Sequence, residues 1–245
     1  KNKINSFTII IRSYTFGDVD DKKVMLDQNK QRIYEFPKIE YTLRTIKSII
    51  RSCEYSKEFF KDLDIKIIIT DDKSSKDNLD KIKNLLDSTS LKTQIINLKE
   101  SEFESEIKLK DINGKDISKN MTSNMRNILK SIQISQQENS DLFYFLEDDY
   151  IHTNNAITEI LFTYEKLSSQ LDRELFLCPA DYPYLYSNIE ESKILIGNKS
   201  HWRTVKESLI TFVTSKNMIN KYLDDLKSIG QLRNHPMEKK LHEIY

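Results

Sequence analysis

The stretch Leu142-Phe-Tyr-Phe-Leu-Glu-Asp-Asp-Tyr150 decides how the rest of the chain folds around it. Its apolar, aromatic run reads as a buried strand, because such side chains pack well on a covered pleated surface. The run stops abruptly at three adjacent carboxylates, Glu147, Asp148 and Asp149. Two neighbouring carboxylates about 5 Å apart repel by roughly 3 kcal/mol at an effective dielectric of about 20. A strand end tolerates that where a cation or water screens it. On the triplet alone, a cation site and a solvated acidic loop are both open readings.

Working outward, two more apolar runs end the same way. Phe7-Thr-Ile-Ile-Ile11 is a β-branched strand pattern that gives way to Arg12-Ser13-Tyr14. Ile65-Lys-Ile-Ile-Ile-Thr70 ends in Asp71-Asp72-Lys-Ser-Ser, and Gln94–Leu98 makes a shorter strand. Between them, Ile39, Leu43, Ile46, Ile50 and Cys53 recur at helical spacing, as do Leu79, Ile82, Leu85 and Leu86. A third helix begins at Met125 and a fourth carries Ile157, Ile160, Leu161, Tyr164 and Leu167. Residues 15–37 form a charged connection closed by Pro37, and residues 99–123 read as a mobile polar insertion with a hairpin turn at Asn113-Gly114. Beyond the fourth helix, Leu175–Cys178 and Leu209–Val213 are strands, residues 184–204 are irregular and aromatic, and a last long helix stops at Gly230. Strands alternating with helices predict an α/β sandwich with a mostly parallel sheet, in one domain over residues 1–245. Ligands bind beyond the carboxyl ends of strands in such sheets. Three strands then deliver polar residues to one edge, which chance solvation explains poorly.

Composition narrows the partners. Charged residues make up 31% of the 245 and balance to a net charge of +0, which argues against a general nucleic-acid binder. The two cysteines, Cys53 and Cys178, lie in apolar patterns and read as buried thiols in a reducing compartment. No apolar run approaches the ~20 residues of a membrane span, and no signal-peptide pattern opens the chain. A soluble cytoplasmic protein is the expectation; the start at Lys1 without methionine is consistent with a trimmed upstream segment.

The first strand is not followed by a glycine-rich turn: Gly17 has no partner glycine, and no P-loop is present. A phosphate ligand must then be held differently, and carboxylates carrying a divalent ion that bridges phosphates are the obvious alternative. Oxygen ligands of this kind suit Mg²⁺ or Mn²⁺.

The order of these segments resembles the nucleotide-sugar glycosyltransferases of the GT-A fold, closest in flavour to family 2. Thr70-Asp-Asp-Lys-Ser-Ser-Lys-Asp77 is similar to that family's Asp-Asp-Gly-Ser motif, with Lys73 in the glycine's place. Asn124-Met-Arg-Asn127 is similar to its Ala-Arg-Asn segment, and Phe145-Leu-Glu-Asp-Asp149 to its Asp-x-Asp segment, with glutamate first. The resemblance covers residues 7–165 and weakens beyond. It implies a Rossmann-like nucleotide-sugar half, residues 1–150, and a smaller acceptor half, residues 151–245. It further implies that Asp72, with Asp71 as understudy, bonds the nucleobase. Arg12, Ser13 and Tyr14 would line the base and ribose pocket, and Arg126 would either contact the nucleotide or brace the sheet edge. Asp149 would ligate Mn²⁺ or Mg²⁺, with Asp148 and Glu147 around the ribose and the ion. The donor would be a UDP- or GDP-sugar and the acceptor a carbohydrate, within polysaccharide biosynthesis.

An inverting transfer needs a carboxylate to take the acceptor's proton. Glu238 is the positional candidate, Asp181 at the end of the Leu175–Cys178 strand its rival, and Glu207 a third. Trp202, the single tryptophan, either stacks on an acceptor sugar or anchors its loop by burying its ring. Arg203 and Tyr182 are further acceptor candidates. Two other classes stay open: a nucleotidyltransferase, which normally needs the missing glycine-rich loop, and a non-catalytic carbohydrate- or protein-binding module.

Overall fold

The computed structural model describes residues 3–15, 24, 25, 28–31, 36–180, 182, 186 and 190–245. In chain order the first part comprises β1 (Ser6–Ser13), the ribbon strands β2 (Val24–Met25) and β3 (Gln28–Gln31), α1 (Lys38–Ser56), β4 (Asp64–Asp71), α2 (Lys76–Asp87), β5 (Lys92–Asn97), α3 (Lys119–Gln137) and β6 (Leu142–Glu147). The second part comprises α4 (Ala156–Leu171), β7 (Phe176–Leu177), β8 (Ile194–Ile196), β9 (His201–Arg203), β10 (Phe212–Ser215), α5 (Lys216–Lys221), α6 (Leu223–Gln231) and α7 (Lys239–His242).

Six strands form one sheet in the order β5-β4-β1-β6-β10-β7. The first four are parallel; β10 runs antiparallel to β6, and β7 antiparallel to β10. β7 therefore runs in the direction of β6, and its carboxyl end faces the same edge. The register sets Ser13 opposite Asp71 and Arg12 opposite both Thr70 and Glu147. The expected convergence of three strand ends is thus a direct product of parallel pairing. The strand order reverses between β1 and β6, the topological position where open α/β sheets form a crevice.

Both faces of the sheet are covered, so its strands are apolar almost throughout. Ile9, Ile11, Ile67, Ile69, Tyr144 and Leu146 share one buried cluster with side chains of α1, α2 and α4. Ile10, Ile68, Phe143, Phe145 and Phe212 share the other with side chains of α3, α5 and α6. Each isoleucine taken out of water contributes about 1.5–3 kcal/mol. α2 and α3 start on serines that accept the backbone N–H three residues on, Ser75 from Asn78 and Ser118 from Met121. Both cysteines are free thiols. Among the described residues no helix is long and apolar enough to cross a membrane.

Three local readings are corrected. Residues 184–204 are not simply irregular: β8 and β9 pair as an antiparallel hairpin within them. The last long helix is two, α5 and α6, and Gly230 lies inside α6 instead of ending it. A Cβ there would lie 2.6 Å from Leu129 Cγ and 2.9 Å from the Met125 carbonyl oxygen, so the glycine serves close packing of α6 on α3. α3 itself begins at Lys119, ahead of its first large apolar stripe. The Asn113-Gly114 turn forms as expected, with Gly114 at φ 80°. The polar segment around it is tied to the chain's end: Lys108 N–H donates to Gln231 O at 2.8 Å, Ile112 N–H to Arg233 O at 3.1 Å, and His235 Nε2 lies 2.8 Å from Asp111 Oδ2.

Candidate functional site

Alternation along the strands decides what each polar side chain meets, because successive side chains leave opposite faces of the sheet. Residues 10 and 12 follow the α3 side, as do 68, 70 and 72, and 143, 145 and 147. Arg12 accordingly reaches Glu147, with NH2 3.2 Å from Oε1, and donates to Ile210 O at 2.9 Å. Asp72 reaches α3, where Arg126 NH1 approaches Oδ2 at 2.6 Å and the Ser123 hydroxyl donates to the same oxygen. Asp148 leaves the other face and meets α1: Thr42 Oγ1 donates to Oδ2 at 2.8 Å and Lys38 Nζ lies 2.6 Å from Oδ1. Tyr14 N–H also points at Asp148 Oδ2, at 3.4 Å. The three adjacent acids of the sequence are therefore divided between two helical layers. Among the described residues no group of three or more His, Cys, Asp or Glu side chains is placed to hold a metal ion.

Asp71 is used locally. Its two oxygens accept from the backbone N–H and hydroxyl of Ser74, closing a turn in which Lys73 has φ 73°. That is the left-handed region where glycine is at ease, which explains the glycine of the motif this turn resembles. Burial still raises the Asp71 carboxyl above its usual range, against the Ser74 bonds and helped by Asp148. Asn127 ties the strand ends together by donating to Ser13 O at 3.0 Å and Thr70 O at 3.2 Å. Arg126 is buried and engaged by Asp72 and by the Glu102 carbonyl at 3.2 Å, so a bracing role is physically present. Tyr14 donates to Asn120 Oδ1 at 2.7 Å, and burial together with Asp72 raises its hydroxyl.

Several buried polar atoms at this edge have no hydrogen-bond partner among the described residues: Asp72 Oδ1, and Nε and NH1 of Arg12. Leaving such groups bare costs about 1–3 kcal/mol each, more when charged. An acceptor oxygen and two donor nitrogens are thus left uncommitted at this edge.

Glu147 has the most perturbed carboxyl of the edge, pushed up to about 7. Burial is the main cause; Asp149 and Glu238 push the same way, and Arg12 and Lys38 oppose them. Glu238, expected from the sequence as a base, therefore stands close enough to Glu147 to feel its charge. It precedes α7, where its carbonyl oxygen accepts from Leu241 and His242 N–H. Asp181, the rival base, lies outside the described residues.

The acceptor candidates share one cavity of about 1380 Å³, whose walls include Tyr150, Tyr182, Trp202, Arg203, Glu207 and Tyr245. Tyr150 directly follows the triplet, and its hydroxyl lies 2.8 Å from that of Tyr182. Arg203 stacks over the Tyr186 ring at 5.0 Å. Trp202 also anchors its hairpin: it packs on the core beside α4 and donates Nε1–H to Glu159 Oε1 at 3.1 Å. Glu159 further accepts the backbone N–H groups of Asn198, Lys199 and Ser200 at 3.0, 2.7 and 3.3 Å and the Thr163 hydroxyl at 3.1 Å.

The sequence singled out neither Lys38, Thr42 and Ser123 nor Glu159. Only Lys38 carried a signal, a cation at the first position of a helix, where the dipole disfavours it.

The triplet's fit to Mn²⁺ or Mg²⁺ is poor as the side chains stand. Asp149 Oδ2 lies 3.5 Å from Lys38 Nζ, Asp148 has both oxygens engaged, and Glu147 pairs with Arg12. An ion bound by Asp148 and Asp149 would have to displace the Lys38 ammonium.

No protein-family model matches the chain, and no curated protein matches it. Among solved structures, the chain is similar to the crystal structure of S. aureus TarS 1-349, with TM-score 0.45 and 10% identity over 88% of this chain and 48% of that one. It is similar to a second crystal structure of S. aureus TarS with TM-score 0.45 and 9% identity, over 88% of this chain and 29% of that one. The chain thus spans about half, and about a third, of the lengths of those two chains.

Proposed function

We propose that the chain transfers a sugar from a nucleoside-diphosphate sugar, UDP- or GDP-linked, to the hydroxyl of a carbohydrate acceptor. One observation carries this reading. The ends of three adjacent parallel strands hold together a bare buried acceptor oxygen (Asp72), a guanidinium with uncommitted N–H groups (Arg12) and a raised carboxyl beside Glu238. An acceptor oxygen suits nucleobase N–H groups, and fixed cations suit a diphosphate.

In the proposed reaction the bond between the anomeric carbon and the diphosphate oxygen breaks. A new bond forms from that carbon to the acceptor oxygen, and the acceptor proton passes to Glu238. Charge grows on the departing diphosphate, where Arg12 and Lys38 supply positive charge already fixed in place. A divalent ion, if bound, would supply further charge stabilisation on the phosphates. The acceptor would lie along Tyr150 and Tyr182, in the cavity that Trp202 and Arg203 also line. Ser13, Tyr14 and Asp71 would border the base and ribose, with Arg126 acting through Asp72.

Calorimetric titration with UDP and GDP tests the donor site, and a UDP- or GDP-sugar hydrolysis assay tests the chemistry. Glu238→Gln is expected to lower turnover by at least about a hundredfold while nucleotide affinity stays within about twofold. Absence of binding by either nucleotide at millimolar concentration would move the protein to a non-catalytic module.

A further inference from the structure

The acidic triplet contains a cation of its own. Lys38 Nζ lies 2.6 Å from Asp148 Oδ1 and 3.5 Å from Asp149 Oδ2, with only 15% of its side chain exposed. Lys38 is the first residue of a 19-residue helix, following Pro37. There the helix dipole opposes a positive charge, by about 0.3–1 kcal/mol. The same helix supplies Thr42, which bonds the other oxygen of Asp148. The amino end of α1 is therefore built around Asp148, which the dipole favours there, and it keeps Lys38 in a place the dipole disfavours. Independently, Arg12 is 5% exposed and keeps Nε and NH1 without acceptors among the described residues. Its charge is met by Glu147 through NH2, so what Arg12 leaves over is hydrogen-bond capacity, which suits the oxygen acceptors of a diphosphate.

We infer that the Lys38 ammonium occupies the position a divalent ion would take between Asp148 and Asp149, so that Lys38 and Arg12 hold the diphosphate of the donor without added metal. The diphosphate part rests on the proposed function; the placement of Lys38 does not. An ammonium and a divalent ion cannot share this gap. Metal–oxygen distances of about 2.0–2.2 Å would put the ion within contact of Nζ.

The test has two arms, both on the full chain. In the first, MnCl₂ alone is titrated calorimetrically into wild type, Lys38→Gln and Lys38→Arg. Wild type and Lys38→Arg are expected to take up no Mn²⁺ below about millimolar concentration. Lys38→Gln should gain at least about tenfold in Mn²⁺ affinity, the scale of one strong charged contact. Micromolar Mn²⁺ binding by wild type overturns the inference even if Lys38→Gln does not fold, and so does an unchanged affinity in a folded Lys38→Gln. In the second arm, UDP and GDP are titrated in EDTA and in Mn²⁺. Wild type should bind within about twofold in both, whereas Lys38→Gln should lose about tenfold in EDTA and recover in Mn²⁺. Nucleotide binding by wild type only with Mn²⁺ overturns the inference. If no nucleotide binds under any condition, the donor-site reading fails, while the manganese arm still decides the place of Lys38.

Discussion

Glu159 and Glu147 are both carboxylates set among protein atoms, and their surroundings push them in opposite directions. Burial acts to raise each. At Glu159 the N–H groups of Lys199, Trp202 and Asn198 and the Thr163 hydroxyl outweigh it and hold the carboxyl below its ordinary value. At Glu147 burial prevails, because Arg12 and Lys38 are offset by Asp149 and Glu238, and the carboxyl rises to about 7. Glu159 is satisfied by its own chain and holds a hairpin to a helix. Glu147 has the Arg12 guanidinium as its one ion-pair partner among the described residues and lies close to two other acids, so its charge is less fully met than that of Glu159.

Asp72 combines both situations and gives the largest test. One oxygen is saturated by Arg126 and Ser123 and the other is bare. Asp72→Ala should cost about 3–5 kcal/mol in urea unfolding, since it leaves the Arg126 guanidinium buried without its counter-ion. Replacing both residues, Asp72→Ala with Arg126→Met, should recover much of that stability while nucleotide binding stays lost. Recovered binding in the double variant would make Asp72 purely structural.

Glu159→Ala should cost about 3 kcal/mol by the same measurement, because it strands three backbone donors and the indole. The comparison breaks if this variant is as stable as wild type.

Acid should separate the two regions. His152, two residues beyond Tyr150, holds the loop after the triplet through Tyr144 Oη at 2.9 Å and, by its backbone N–H, Ser48 Oγ at 3.0 Å. Burial lowers its ring to about 4 from 6.5. Between those values the unfolded chain binds the extra proton, so stability is full above the higher value and falls with falling pH. The His152 share of the change from pH 7 to pH 5 should be a loss of about 2 kcal/mol, which His152→Gln removes; the Glu147 carboxyl, raised to about 7, is relieved by protonation over the same range and works the other way. Glu159, with its depressed carboxyl, contributes in full above the ordinary glutamate value of 4.5 and loses that contribution as pH falls from there through its lower folded value. Amide exchange after β6 should therefore rise less between pH 7 and pH 5 in His152→Gln than in wild type, while the β8–β9 hairpin behaves alike in both.

The smallest effect concerns the turn beneath Asp72. Lys73→Gly relieves a left-handed backbone at φ 73° and should stabilise by about 0.5–1 kcal/mol, despite losing the exposed Lys73–Glu100 pair. A loss of stability would show that the pair outweighs the backbone term.

Most of the sheet could be read from the sequence because its strands are covered on both faces, which writes them as apolar runs such as Phe7–Ile11 and Ile65–Thr70. Their polar ends were equally visible. What the sequence concealed was sidedness: three consecutive acids look like one cluster until the pleat sends Glu147 and Asp148 to different helical layers. The β8–β9 hairpin escaped notice because its three-residue strands depend on Glu159, about forty positions earlier. Gly230 misled because glycine usually ends a helix, and here it answers to a neighbour. Lys38 belongs to no apolar period, so only a dipole argument could have flagged it.

That glycine reaches further than its own helix. α3 presents Ser123 and Arg126 to Asp72, and its Met125 and Leu129 set how near α6 can come. α6 in turn leads through residues 232–237 to Glu238 and α7. A single helix thus works as the common datum from which both ends of the proposed reaction are measured, the base of the donor and the proton of the acceptor. One methyl group added at position 230 would act as a shim, altering that span without touching any residue that meets a substrate.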